Sequence, residues 1–168
     1  MFGKLTWFVL YTKPRFEQKV YYNLLQMGIN SYLPMQKTLK QWSDRKKWVH
    51  EPLFKSYCFV QIKPEYYREP LKANGVLRYI WFEGKPVPVS DKEIETIKLL
   101  CDSNIPVEVV ELTLIKGQTV KIINGVLKGL VGEYLKKTGQ HKILVRIDSI
   151  NQGLMVSVPP AYVVACRI

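Results

Sequence analysis

The chain has 168 residues, of which 47% are hydrophobic, and it carries a formal net charge of +11 at pH 7. This length accommodates one large domain or two small ones, and the apolar content excludes a disordered chain. The excess of basic residues favours a polyanionic partner such as nucleic acid or the ribosome. A surface charge that only keeps the protein soluble is the alternative.

The cysteines and the N-terminus point to the reducing cytoplasm. Cys58, Cys101 and Cys166 are odd in number and far apart, which excludes a disulfide framework and a cysteine-based metal site. The first residues lack the pattern of a signal peptide, and no apolar run approaches the length of a membrane span. We therefore expect a cytoplasmic protein that does not associate with membranes.

The first predicted elements are a strand and a helix. Residues 7–11 form a short apolar run that is typical of a buried strand. We expect the helix to begin at Pro14, because proline is tolerated at the first helical position, and to end at Gly28. Its apolar side repeats at helical spacing through Phe16, Val20, Leu24 and Met27. The other side is polar and mainly basic, with Lys13, Arg15, Lys19 and Asn23.

A hairpin with a charged tip follows the helix. Residues 31–35 form a second candidate strand, and residues 41–47 form a polar tip between two arms that resemble strands. The tip holds Trp42 among several charged side chains. Such a run of charges is usually a solvated loop, but the exposed tryptophan also makes a contact surface a reasonable alternative.

The segment Glu51 to Ile62 predicts the central strand of the first domain. From Ser56 it is rich in aromatic and β-branched residues. Alternation places Tyr57 and Phe59 on one face and Cys58 and Val60 on the other. Because both faces are apolar, we expect helices to cover one face and the other to carry an aromatic surface. The alternative is that Tyr57 and Phe59 are ordinary core residues.

The remainder of the first domain is predicted to be one strand and one helix. Residues 77–82 form the strand, and Tyr79 adds an aromatic side chain to the same sheet. Ser90 and Glu93 have the spacing of a capping box, which predicts a helix through Cys101. Residues 104–114 contain Pro106 and lack periodicity, so we expect a linker there.

From residue 115 the pattern changes to short alternating strands separated by glycine-containing turns, which predicts a small closed barrel. The predicted fold class is therefore α+β. An amino-terminal domain of antiparallel sheet flanked by helices (1–103) precedes the linker (104–114) and an SH3-like β-barrel (115–168).

The sequence gives no support for catalysis. His50 and His141 lie in different predicted domains, with no nucleophile or metal-ligand spacing around them. No glycine-rich phosphate loop follows a strand. We therefore expect neither an enzyme nor a cofactor or metal site.

Three segments resemble a known family. Lys116-Gly-Gln-Thr-Val-Lys-Ile122, followed by the glycines of residues 125–132, resembles a KOW motif. Residues 7–13 (WFVLYTK) and 52–60 (PLFKSYCFV) resemble the amino-terminal domain of NusG. In this order the segments cover nearly the whole chain, which is therefore similar to NusG-type transcription elongation factors. The KOW positions are Lys116, Gly117, Val120, Gly125, Gly129 and Gly132.

Residues 10–13 (LYTK) and 51–59 (EPLFKSYCF) are similar in particular to the specialised RfaH- and UpxY-type antiterminators. In this family the amino-terminal domain binds the clamp helices of RNA polymerase through an apolar patch on its sheet. The resemblance implies a patch formed by Tyr11, Tyr57, Phe59 and Phe82, with Tyr79 beside it. Aromatic side chains commonly dominate such interfaces.

The resemblance also implies further partners. The helix face with Lys13, Arg15, Lys19 and Asn23 corresponds to the surface by which specialised paralogues meet non-template DNA. The basic groups would bind the DNA backbone, and Asn23 is a candidate for a base contact. A ribosomal protein or termination factor Rho is the implied partner of the KOW domain, and the protein is expected to be a monomer.

Two functions remain open at this point. The first is a polymerase-bound factor that promotes processive transcription of particular operons, and the second is a ribosome- or RNA-binding KOW module. Some specialised relatives hold the second domain as a helical hairpin and release it to a barrel. Here the strand alternation and six glycines between residues 117 and 153 favour a constitutive barrel, because glycine inside a helix costs about 1 kcal/mol relative to alanine.

Overall fold

The computed structural model describes residues 3–112, 117–137 and 139–166. The elements follow in chain order as β1 (Thr6–Thr12), α1 (Glu17–Gln26), β2 (Asn30–Tyr32), β3 (Met35–Gln41), β4 (Lys46–Pro52), β5 (Tyr57–Ile62), β6 (Val76–Tyr79), β7 (Trp81–Phe82), β8 (Lys85–Pro86), β9 (Pro88–Val89), α2 (Asp91–Asp102), β10 (Val107–Glu111), β11 (Gln118–Ile122), β12 (Val131–Lys137), β13 (Gln140–Ile147), β14 (Gln152–Ser157) and β15 (Val163–Ala165). Helices and antiparallel sheets are both present, as the α+β class requires. Within the described ranges, neither helix is long and apolar enough to cross a bilayer.

The contacts divide the chain into two compact units. The first consists of Met1–Met35 and Pro52–Ile94, and the second of Gln36–Glu51 and Glu95–Ile168. The division falls within α2, and the β3–β4 hairpin is grouped with the second unit. Both histidines therefore belong to the second unit, although the sequence suggested different domains.

The first unit is built on an antiparallel sheet in the strand order β2-β5-β1-β6, with β9 also paired to β1. The predicted strand in residues 7–11 is confirmed as β1. The prediction that the segment from Ser56 forms a central strand is also confirmed, since β5 pairs with β1 on one side and β2 on the other. This position is consistent with its two apolar faces.

Helix α1 covers one face of this sheet. The buried cluster there consists of Phe8, Leu10, Val20, Leu24, Cys58, Val60, Ile62, Ala73 and Tyr79. Cys58 and Val60 therefore share the helix side, as the alternation predicted. Burial raises the pKa of the Cys58 thiol to about 12, and the nearby carboxylate of Glu17 acts in the same direction.

The prediction that this helix begins at Pro14 is wrong. Arg15 has a φ of 64°, in the left-handed region, so the chain turns once more before Glu17 begins the helix. The backbone N–H of Lys13 donates to the carbonyl of Gly75 at 2.8 Å, which holds this turn against the loop before β6. The predicted end at Gly28 is confirmed, with a φ of 75° just after the helix.

Two predicted strands are each divided in the structure. The candidate at 31–35 ends at Tyr32 and resumes as β3 at Met35, with Pro34 between them, because proline cannot donate to the ladder. The candidate at 77–82 is split into β6 and β7 at Ile80. The capping box is confirmed, since Ser90 N–H donates to Glu93 Oε2 at 2.9 Å and Glu93 N–H donates to Ser90 Oγ at 3.2 Å.

The second unit contains a six-stranded antiparallel sheet in the order β10-β14-β13-β12-β11-β15. The predicted strand is confirmed as β13, and Ile143 and Ile147 are fully buried, but burial does not alternate strictly because Leu144 is buried as well. The pairing of the described strands ends at β10 and β15 and does not join them. The structure therefore shows a sheet with two edges rather than the closed barrel that we expected.

Residues 107–111, which we expected to lie in a linker, form β10. This strand pairs with β14 from Val107 opposite Val156 to Glu111 opposite Gln152. Lys142 also donates to Glu108 at 3.0 Å. The segment is ordered by pairing with a strand more than forty residues away, which local sequence periodicity does not reveal.

Candidate functional site

Three of the predicted contact residues lie together on the sheet face opposite α1. Tyr11 on β1 is directly opposite Tyr57 on β5, and their rings meet edge to face with centroids 6.2 Å apart. Phe59 follows Tyr57 on the same face by alternation. We call the surface formed by Tyr11, Tyr57 and Phe59 the aromatic patch.

Phe54 joins this patch, although sequence reasoning did not include it. Its ring stacks on Tyr57 with centroids 6.3 Å apart and meets Phe59 edge to face at 6.0 Å. The side chain is buried. The available signal was the apolar pair Leu53-Phe54 in the short connection before the strand, because an exposed loop would be expected to be more polar.

The members of the patch differ in exposure. Phe59 is fully buried, with a relative exposure of 0%, whereas Tyr11 and Tyr57 are half-buried. The expectation that Phe59 offers an exposed contact is therefore corrected, because Phe54 and Tyr32 pack against its ring. The accessible part of the patch consists of the two tyrosines, and Phe59 supports them.

The expectation that Tyr79 lies beside the patch is wrong. β6 pairs with β1 so that Tyr79 is opposite Leu10 and Arg78 is opposite Tyr11. Tyr79 therefore points to the helix side, where it is buried beside Phe8 and donates a hydrogen bond to the carbonyl of Tyr67 at 2.7 Å. Burial raises the pKa of Tyr79 above its ordinary value.

The same register brings Arg78 to the patch. Its guanidinium carbon lies 5.1 Å from the centre of the Tyr11 ring, within the range of a cation–π contact. Burial raises the pKa of Tyr57, Tyr11 acts in the same direction, and Arg78 opposes them. The patch thus combines two phenol groups with one cation, and the sequence pattern alone did not identify that cation.

Phe82 lies apart from these residues in the structure. It is located on β7, in a two-stranded sheet with β8, and is 69% exposed. No ring contact joins it to Tyr11 or Tyr57 within the part of the chain that the structure describes. Its inclusion in one binding surface with the tyrosines stays a prediction.

The predicted basic face is formed by the turn before α1 and the start of that helix. Lys13, Arg15 and Lys19 are exposed. The ammonium groups of Lys13 and Lys19 lie 5.8 and 5.3 Å from the centre of the Phe16 ring. Phe16 therefore brings two of these charges to one site.

Asn23 lies farther along α1 and is half-buried. Its Nδ2 donates to the carbonyl of Asn74 at 3.5 Å, so the amide is directed toward the loop before β6. The adjacent Gly75 has a φ of 99°, and a Cβ there would lie 2.7 Å from the Phe16 ring. Any residue other than glycine at position 75 would therefore displace the Phe16 ring, which the ammonium groups of Lys13 and Lys19 contact.

A buried carboxylate connects α1 to the strand of the patch. Glu17, in the first turn of the helix, accepts a hydrogen bond from the backbone N–H of Ser56 at 2.7 Å. Ser56 has a φ of 61° and immediately precedes Tyr57, and its carbonyl accepts a hydrogen bond from Thr12 N–H at 2.8 Å. This arrangement holds the start of β5 against both β1 and the basic helix.

The predicted KOW positions lie around β11 and β12, except for Lys116, which is outside the described residues. Val120 is buried on β11 opposite Gly132 on β12. A Cβ at Gly132 would approach Ile143 to 2.5 Å, so the close packing of β13 requires glycine there. Of the remaining KOW positions, Gly117 donates its backbone N–H to Glu133 at 3.0 Å. Gly125 and Gly129 have positive φ and lie in the turn between β11 and β12.

The described residues show no group of three His, Cys, Asp or Glu side chains that could hold a metal ion. His50 lies on β4, and His141 on β13 makes a hydrogen bond through Nδ1 with the hydroxyl of Tyr134. The surfaces described above contain aromatic rings and cations in positions suited to binding.

The family model described as "Transcription termination factor nusG" matches residues 5–98, more than half of the chain, which identifies the class of protein as a transcription factor. The chain belongs to the NusG family. Members of this family are non-enzymatic transcription factors, which confirms that the chain is not an enzyme. NusG-family proteins work with RNA polymerase.

Solved structures of similar proteins include NusG from Thermotoga maritima. That structure is 26% identical, covers 98% of each chain and superposes with a TM-score of 0.58. Two conformations of the MjSpt4:Spt5 complex also match at 15% identity, covering 95% of this chain and 97% or 95% of the other. Their TM-scores are 0.32 and 0.33.

Proposed function

We propose that the chain is an elongation or antitermination factor of the specialised RfaH/UpxY type, which binds the clamp helices of RNA polymerase through the aromatic patch. The observation that carries this proposal is the contact between the half-exposed Tyr11 and Tyr57, supported by the buried Phe54 and Phe59. A rigid aromatic pair offers a large contact area at low entropic cost. Arg78 beside Tyr11 would add an ion pair with an acidic group of the partner.

The basic face is the proposed site for non-template DNA. Lys13 and Lys19 converge on Phe16, and Arg15 extends from the same turn, so three cations are available for phosphates. Asn23 is the candidate for base recognition. Its hydrogen bond to the carbonyl of Asn74 is long and therefore weak, so replacing that bond by one to a base would require little free energy.

For the second unit we propose a KOW domain that remains β-structured in the full chain. Its proposed partner is a ribosomal protein or termination factor Rho. The division into an amino-terminal domain, a linker and a KOW domain belongs to this proposal, as does a monomeric protein that acts on particular operons.

The polymerase proposal is tested by affinity purification of the tagged chain from cells lysed at low salt. We expect core RNA polymerase to co-purify with the wild type. A Tyr11→Ala/Tyr57→Ala variant should lose it, while a control on the exposed side of α1, Tyr22→Ala, should retain it. Recovery of ribosomal particles without polymerase would favour the alternative function, a ribosome- or RNA-binding module.

The DNA proposal is tested on an assembled transcription bubble. Replacement of Lys13, Arg15 and Lys19 by glutamine should weaken binding and reduce the dependence of log K on log salt by about 0.7 for each lost phosphate contact. Lys85, Lys92 and Lys128, which are also exposed, provide a control triple substitution. An unchanged salt dependence in the first variant would show that the basic face does not bind DNA.

A further inference from the structure

The β3–β4 hairpin is a two-stranded sheet that, among the described strands, pairs with no other. Most of its side chains are exposed, including two tryptophans, Trp42 at 53% and Trp48 at 57%. The backbone N–H of Trp42 donates to the carbonyl of Arg45 at 2.8 Å and closes the tip. Large exposed aromatic side chains on a fixed element commonly mark a binding surface.

One face of the hairpin combines an aromatic ring with positive charge. The ammonium of Lys37 on β3 lies 5.2 Å from the centre of the Trp48 ring on β4, which shows that both side chains share a face. By alternation Lys46 and His50 lie on the same face of β4 as Trp48. Lys37 thus restrains the indole while more than half of that side chain remains accessible.

The charge of the hairpin is strongly unbalanced. Between residues 36 and 51 there are five lysines or arginines and two acidic residues, which leaves three positive charges. Glu51 forms an ion pair with Lys40 at 2.6 Å. Arg45, Lys46 and Lys47 lie next to one another at the tip, close in sequence to Trp42.

From this arrangement we propose that the hairpin binds single-stranded RNA. Unpaired bases stack on Trp48 and Trp42, and Lys37, Lys46 and the other basic side chains contact the phosphates. Every base has a π-face, so such a site tolerates many sequences. A duplex hides the faces of its bases within its own stack, and an acidic protein would use the charges without needing flat rings.

The choice of RNA rests on the proposed function. In a transcribing complex the two unpaired strands are the non-template DNA and the transcript, and the basic face of α1 is the proposed site for the DNA. The second aromatic and basic surface then suits the transcript. The same stacking chemistry applies to single-stranded DNA, so the test compares the two.

The test measures binding of the full chain, without polymerase, to a fluorescently labelled oligouridylate of about 12 nucleotides, a length within the usual range of such sites. Trp48→Ala should weaken binding at least about fivefold, the lower limit for one stacked base. Trp48→Phe should retain most of the affinity. Trp81→Ala removes an exposed tryptophan of the first unit and should leave the affinity unchanged.

The charges are tested separately. Lys37→Gln/Lys46→Gln, which removes two charges on the Trp48 face, should reduce the salt dependence of log K by about 1.4, or about 0.7 for each phosphate contact with a single strand. Lys92→Gln, on α2, is the control. A duplex RNA of the same length should bind more weakly than the oligouridylate, and oligothymidylate should bind no more tightly.

Each contrary result has a definite meaning. Equal RNA affinity of the wild type and Trp42→Ala/Trp48→Ala would overturn the proposal, as would tighter binding of single-stranded DNA than of RNA. Loss of polymerase binding by that variant with unchanged RNA binding would assign the hairpin to a protein partner and also overturn it. The oligonucleotide assay contains no polymerase, so absence of RNA binding would leave the aromatic-patch proposal standing. Conversely, absence of polymerase binding would leave the RNA measurement valid.

Discussion

Tyr57 and Phe59 lie two residues apart on one face of β5, yet their side chains are exposed to different extents. Phe59 is enclosed by Tyr32 and Phe54, whereas Tyr57 meets Tyr11 at the surface. The sequence allowed two interpretations of this face, an aromatic contact surface or ordinary core. The first describes Tyr57 and the second describes Phe59. Phe59 stabilises the fold, and Tyr57 is available to a partner.

The first prediction follows from this difference. Phe59→Ala should lower the free energy of unfolding by about 3–5 kcal/mol, the usual cost of removing a fully buried phenylalanine. Tyr57→Ala should cost clearly less, because its ring is already half in water. Urea unfolding followed by circular dichroism measures both. Equal losses of stability in the two variants would contradict the division of roles.

The second prediction concerns Cys58 and high pH. Its folded pKa of about 12 lies above the ordinary value of 9.0, so ionisation is easier in the unfolded chain. The stability associated with the neutral thiol is present below pH 9 and is lost as the pH rises toward 12. Between pH 8 and pH 10 the wild type should lose about 1.4 kcal/mol more than Cys58→Ala. Parallel losses in urea titrations would show that the thiol ionises as easily in the folded protein.

At the scale of elements, β10 shows what the residue pattern could not reveal. Val107 and Val109 alternate with Glu108, as in a strand. However, a pattern of only five residues that follows a proline is too short to tell a strand from a linker. Pairing with β14, which is distant in sequence, orders them. Strand pairing also decides that Arg78 rather than Tyr79 lies beside Tyr11. A shift of one residue in register would exchange the two faces of the strand.

The third prediction tests the role of β10. A fragment that begins at residue 104 should be more stable than one that begins at residue 115 by about 1.5–3 kcal/mol, the contribution of fully burying one valine, because Val107 is buried in the described unit. Thermal or urea unfolding of both fragments measures the difference. If the shorter fragment were equally stable, β10 would be a docked part of the linker.

The elements that were predicted correctly carry local signals. The apolar run of β1, the alternation on β5 and the capping box of α2 are all determined by neighbours in sequence. The start of α1 was not predictable, because Arg15 adopts a left-handed conformation while the turn is held by the loop at Gly75. At the candidate site, the pairing of Tyr11 with Tyr57 was available only from the family resemblance.

At the scale of the molecule, the aromatic patch and the basic face belong to one unit and are joined by a single buried carboxylate. Glu17 holds the residue before Tyr57 from the first turn of α1. The surface proposed to bind protein and the surface proposed to bind nucleic acid are thereby fixed relative to one another within the first unit. This arrangement suits a factor that must contact a protein and DNA together.

The fourth prediction concerns the fold of the second unit. In this structure residues 118–122 form β11, and the turn that follows contains Gly125 and Gly129, which have positive φ. We expect amide chemical shifts typical of β-structure for residues 118–122 in the full chain, superimposable on those of the fragment from residue 104. Helical carbon shifts over residues 120–130 in the intact protein would show instead that the unit switches its fold.

The final prediction addresses the central claim, that the aromatic patch binds RNA polymerase. The measurement is the affinity of purified core RNA polymerase for the wild type and for Tyr57→Ala, with circular dichroism to confirm that the variant is folded. We expect at least about a 30-fold loss, because aromatic residues at the centre of an interface often contribute 2 kcal/mol or more, and no loss for the control Tyr22→Ala. Unchanged affinity in a folded Tyr57→Ala variant would contradict the account.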